Sequence, residues 1–91
     1  MDVKIKFDED QKKFYAIVEG KESVLQFLEV DQNTLEYIRT YVPVELRHHG
    51  IAAQIVDHAL KYAESNAKKV IPSCSYVRYY IEQHPQYEHL L

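Results

Sequence analysis

Two places in this chain carry residues whose types and spacing suit chemistry: the run Arg47-His48-His49-Gly50-Ile51-Ala52 and the lone thiol Cys74. The run leads into the strongest helical pattern in the sequence. The first turn of any helix leaves about four backbone N–H groups without partners, and its aligned peptide dipoles favour negative charge there. Ser, Thr, Asp or Asn usually caps those donors, yet none lies between Pro43 and Ile51. Gly50 permits close backbone approach, Arg47 adds positive charge, and Ala52 and Ala53 are small enough for a ligand to lie near. Such a turn suits a phosphate-bearing ligand; the plain alternative is a loop entering a water-capped helix. His48 and His49 are either exposed loop residues or phosphate contacts that strengthen on protonation.

Cys74 precedes a second helical stretch, where nearby N–H groups favour a thiolate. It could accept an acyl group, line a pocket, or simply be a small buried residue. Tyr76, Tyr79 and Tyr80 follow it. Tyrosines offer broad apolar faces and one donor, suited to packing on a ligand chain or to protonating a leaving thiolate. Adjacent on a helix, Tyr79 and Tyr80 cannot share a direction, so at least one packs in the ordinary way. Arg78 is either a phosphate contact or a solvated side chain. His84, before Pro85, ends the helix, as a base or as a terminal hydrogen-bonding group. His58 belongs to the polar side of the long helix.

These residues need a frame to hold them. Val3 to Phe7 alternates apolar and basic residues, and Lys13–Glu19, Ser23–Val30 and Thr34–Val42 read as three further strands. Gly20-Lys21 and Asp31-Gln32-Asn33 supply turns, so the first half is an antiparallel meander. From Gly50 to Ala63 the period changes: Ile51, Ile55, Ala59 and Ala63 form one row, flanked by Ala52, Val56 and Leu60. Ser65-Asn66 is the expected stop of this helix, because asparagine tolerates the left-handed conformation at a helix end. Ala67–Pro72 is a short fifth strand, and Tyr76–Gln83 a shorter helix. The fold class is therefore α/β (α+β): a four-stranded antiparallel meander, then a β-α-β unit and a short C-terminal helix. A right-handed crossover brings the end of strand four, the start of the helix and Cys74 to one sheet edge, where ligands gather in open sheets.

With 91 residues, 46% of them hydrophobic and 27% charged, the chain suits one globular domain spanning residues 1–91. No apolar run reaches the roughly 18 residues of a spanning helix, so a cytoplasmic location and no membrane partner are expected. The net charge of −3 gives no global attraction to nucleic acid. Lys4, Lys6, Lys12 and Lys13 could still form a local basic strip. One cysteine excludes an internal disulfide, and the five histidines show no zinc-ligand spacing, so no metal is expected.

Arg47-His48-His49-Gly50-Ile51-Ala52 resembles the Arg/Gln-x-x-Gly-x-Gly/Ala motif of the GCN5-related N-acetyltransferases. Tyr41–Arg47, Val70–Val77 and Tyr80–Tyr87 are similar to the small single-domain branch of that superfamily, the YjdJ-like or N-acetyltransferase-domain-1-like proteins. The resemblance covers most of the chain. It implies an N-acetyltransferase that uses acetyl-CoA (coenzyme A) and an amine acceptor, either a small amine or a protein amine. By the same resemblance, Val42 and Val44 offer backbone groups to the pantetheine arm, and Arg47, His48, His49, Gly50, Ile51 and Ala52 surround the pyrophosphate; the residue chemistry given above makes Tyr79 the tyrosine expected to pack on the cofactor and Cys74 the catalytic candidate. Two positions depart from the pattern: His48 stands where this branch commonly has glycine, and Arg39 where many members place histidine. Competing expectations are a non-enzymatic acyl-CoA binder or sensor and, using the lysine strip, a small nucleic-acid-binding domain. Oligomeric state is left open.

Overall fold

Alternating side chains produce four antiparallel strands in the computed structural model, which describes residues 1–91: β1 (Lys6–Asp8), β2 (Lys13–Val18), β3 (Lys21–Asp31) and β4 (Thr34–Tyr41). Glu19 and Gly20, both at positive φ (52° and 76°), close the β2–β3 hairpin. Left-handed geometry at both turn positions matches the natural twist of the flanking strands. The long amphipathic helix α1 (Ile51–Ser65) then crosses to β5 (Lys69–Ile71), which pairs parallel with β4 and completes a sheet of order β1-β2-β3-β4-β5. Helix α2 (Ser75–Gln83) and a 3₁₀ segment, Pro85–Leu90, follow; a 3₁₀ turn at Val44–Leu46 precedes α1.

The apolar row of α1 lands as its period demands: Ile51, Ile55, Val56, Ala59, Leu60 and Ala63 are all buried. They meet Phe14, Leu25, Phe27, Leu35 and Tyr37 from the sheet, with Val77, Ile81, Tyr87 and Leu90 closing the C-terminal side. Full burial of each large aliphatic side chain contributes roughly 1.5–3 kcal/mol. Tyr37, wholly buried, donates its hydroxyl to the Ala59 carbonyl at 2.5 Å, which fastens α1 to β4.

Three local features differ from the expectation. Strand β1 begins at Lys6 because the Val3 amide donates to Gln54 Oε1 of α1 (3.0 Å) instead of to a neighbouring strand. Asn66 does not turn left-handed (φ −104°); its side-chain amide donates to the Tyr62 carbonyl (2.8 Å), and Ala67 takes the positive φ of 55°. The alternation of β4 is broken by a bulge. Pairing passes from Gln26–Arg39 to Phe27–Tyr37 and leaves Ile38 as the extra residue. Strict alternation from Tyr37 would turn Thr40 away from the core. With Ile38 inserted, Thr40 lies opposite buried Leu25 and on the helix side of the sheet.

Candidate active site

Pairing between β4 and β5 covers only Thr34–Lys69, Leu35–Val70 and Glu36–Ile71. One further bond, from the Cys74 amide to the Tyr37 carbonyl (2.9 Å), holds the start of α2 against β4. Beyond it β4 continues to Tyr41 without a β5 partner, so the two strands fork. Two adjoining cavities of about 280 and 270 Å³ occupy this side of the molecule, sharing Val42, Arg47, Ala52 and Tyr76 as walls. One extends to Leu46, His48, Gly50 and Ala53, the other to Thr40 and Tyr41. Together they form a groove from the α1 turn to the fork, and no carboxylate lines it.

At the turn end, Gly50 is the residue before α1, with a left-handed backbone (φ 77°, ψ 14°), and no side chain caps the helix. Gln54 is the first α1 residue whose amide reaches the Gly50 carbonyl, at 3.2 Å. The amides of Ile51, Ala52 and Ala53 precede it at the helix end, where an anion finds both donors and a favourable dipole. Arg47 is partly committed: Nε donates to the Val42 carbonyl (2.9 Å), and its guanidinium lies 5.9 Å from the Tyr41 ring centre. His48 also has a positive φ, 69°, which explains physically why glycine suits that position.

At the fork end, Thr40 Oγ1 lies 3.4 Å from Cys74 Sγ. Burial pushes the Cys74 thiol up, but hydrogen bonding by the Thr40 hydroxyl and by the Val77, Tyr76 and Thr40 backbone outweighs it, so the thiol sits below its ordinary value. The Val77 and Tyr76 amides act on the sulfur from the first turn of α2 without a formal side-chain cap. On β4, Glu36 accepts a hydrogen bond from Ser73, the residue before Cys74. The sheet's alternation puts Glu36 on the face opposite Leu35 and Tyr37, beside the last β4–β5 rung.

Of the residues singled out from the sequence, Val42, Arg47, His48, Gly50 and Ala52 line the groove. Cys74 meets its wall through Thr40. Ile51 buries its side chain in the core, leaving only its backbone at the turn. His49 is exposed, Val44 and Tyr79 are 69% and 56% exposed, and none of the three lines the groove. Tyr76 lines it instead, while Tyr80 turns toward Asp57. His84 stacks on the Tyr80 ring (3.9 Å between centres) and bonds the Tyr80 carbonyl through Nδ1 (2.8 Å), a structural end to α2. The sequence pattern carries no signal for Thr40, because its direction depends on the bulge. The lysine strip is interrupted: Lys12 pairs with Glu29, and Lys13 with Glu22 at 3.0 Å.

A family model described as GCN5-related N-acetyl-transferase matches residues 13–90. Among solved structures, the chain is similar to a GCN5-like protein from Staphylococcus aureus, provisionally assigned as an N-acetyltransferase and determined by NMR in solution. The two share 26% identity with a TM-score of 0.75, over 97% of this chain and 86% of that one. A match over nearly the whole chain, on a forked sheet with an uncapped helix at the fork, places this protein in the GCN5-related N-acetyltransferase family.

Proposed function

We propose that this chain transfers an acetyl group from acetyl-CoA to an amine, within the small single-domain branch of the family. The observation that carries the reading is the acid-free groove joining uncapped α1 amides to the Thr40–Cys74 pair. Its donor set fits the ligand's chemistry. The Ile51, Ala52 and Ala53 amides, with Arg47 beside them, suit a pyrophosphate; each favourable charge–dipole contact at such an end is worth about 0.3–1 kcal/mol. The stretch of the β4 edge that β5 leaves unpaired suits an arm bearing amides, since free strand-edge groups need partners. Acetyl-CoA supplies an activated thioester.

The chain's own residues then have separable roles. Tyr76, at the groove wall, can donate its hydroxyl proton to a departing thiolate; burial, then Tyr79, raises its value, so it stays protonated at neutral pH. Glu36, held by Ser73 on the far side of the fork, can attract a cationic amine and take its proton. Cys74 either receives the acetyl group on Sγ and passes it on, or walls the acyl end while the amine attacks directly. Cys74→Ala and Cys74→Ser separate these routes: turnover kept in both excludes the covalent one.

The test of the binding site is a titration with acetyl-CoA, desulfo-CoA and phosphate, following amide resonances. Ile51, Ala52 and Ala53 are expected to move first and farthest; shifts confined to other segments would reject the site. One observation favours a binder or sensor without turnover: neither imidazole nor carboxylate lines the fork end of the groove. Tight acetyl-CoA binding with no product across a broad screen of small and peptide amines would establish that reading.

A further inference from the structure

Gln54 stands on the first turn of α1 and uses its whole side-chain amide. Oε1 accepts the Val3 amide at 3.0 Å, while Nε2 donates to the Met1 carbonyl and to the Gly50 carbonyl at 3.2 Å. A side-chain amide has two N–H donors and one carbonyl acceptor, so each is engaged. Glutamine on an exposed helical turn ordinarily points into water. Here it ties a segment more than fifty positions away to the residue that opens the helix.

The Gly50 carbonyl and the Ile51 N–H belong to one peptide unit. In a planar trans peptide those two groups point in opposite directions. The Gly50 carbonyl receives both the Gln54 backbone amide (3.2 Å) and Gln54 Nε2 (3.2 Å), two bonds that hold it along the helix. The Ile51 N–H is thereby turned outward, away from α1. Gly50 has no Cβ, and one built there would stand 3.9 Å from Gln54 Nε2, so this side chain is also the neighbour that bounds the turn. Left-handed Gly50 is the kind of position whose peptide rotates readily when nothing holds it.

We infer that Gln54, braced by Met1 and Val3, is a positioning residue that aims the Ile51 amide at the anion bound by the α1 turn. The inference rests on the reading of that turn as the pyrophosphate site. It makes the N-terminal segment a working part of cofactor binding, although it lies outside the matched residues 13–90.

Two variants act from opposite ends of the clasp: Gln54→Met keeps length and removes the hydrogen bonds, and Val3→Pro deletes the amide that Oε1 accepts. Calorimetry would compare CoA with pantetheine, which lacks the phosphates, and amide exchange would follow Ile51 without ligand. The expected result is a three- to tenfold loss of CoA affinity, about the worth of one net hydrogen bond. Pantetheine affinity should be unchanged and Ile51 exchange altered, in both variants. Unchanged CoA affinity overturns the inference, and so does equal loss for CoA and pantetheine, which would mean general loosening. If wild-type chain binds pantetheine and CoA equally, the pyrophosphate reading itself falls; if wild type prefers CoA and both variants keep the wild-type CoA affinity, that reading stands and the role of Gln54 falls.

Discussion

His48 and Ala67 both hold a side chain at positive φ, 69° and 55°. An L-residue in the left-handed region costs about 1–2 kcal/mol, and glycine avoids that strain but loses more freedom on folding. Replacing either by glycine should therefore stabilise the chain by about 0.5–1 kcal/mol, read as a higher urea midpoint with an unchanged slope. Ala67→Gly lies beyond the groove and serves as the control; His48→Gly should also leave amide contacts at the turn in place. Cys74 gives a second test at this scale. Its thiol lies below the ordinary value because Thr40 and nearby backbone groups outweigh burial. Alkylation should then persist to lower pH than for an unperturbed thiol. Thr40→Val should shift the alkylation midpoint upward, whereas Thr40→Ser should restore it.

At the scale of elements, Asp57 is the joint between α1 and the C-terminal segments. It accepts the hydroxyls of Tyr80 (3.0 Å) and Tyr87 (2.6 Å) and pairs with Lys61 (3.0 Å), with 28% of its side chain exposed. Burial pushes its carboxyl up, but bonds from Tyr87, Lys61 and Tyr80 prevail and hold it below the usual carboxylate range. A depressed native value means stability that is present above the unfolded value of about 3.9 and lost as pH falls through the lower native value. Asp57→Asn should cost roughly 1–2 kcal/mol near neutrality, and the gap from wild type should close below about pH 4. Denaturant midpoints across that range would check both statements. Tyr80 has the opposite linkage. Burial and then Asp57 push its hydroxyl up to about 12, so its share of stability holds below about pH 10 and declines as pH rises from there.

For the whole molecule, one small core carries the fold, and a ligand that binds only the native state adds directly to its stability. At about a hundredfold excess over Kd, acetyl-CoA should contribute about 2.7 kcal/mol. For a domain of this size that corresponds to a rise in Tm of about 10–20 °C. A thermal scan with acetyl-CoA, against free acetate and adenosine as controls, measures it; no rise at any concentration would remove the cofactor from this protein.

Local rules in the chain were enough to establish the meander, the long helix with its buried row, and the uncapped turn after Pro43. Period-two and period-3.6 patterns and missing cap residues are properties of neighbours in sequence. The match to a family motif at Arg47–Ala52 likewise needs no coordinates. Other features depend on residues far apart: the bulge at Ile38 that turns Thr40 toward Cys74, the choice of Tyr76 over Tyr79 as groove wall, and the clasp of Gln54 on Met1 and Val3. Each is settled by how β3, β4, α1 and α2 pack. A shift of one residue in register changes which side chains face the core, and that register is set by cross-strand pairing that no single segment contains.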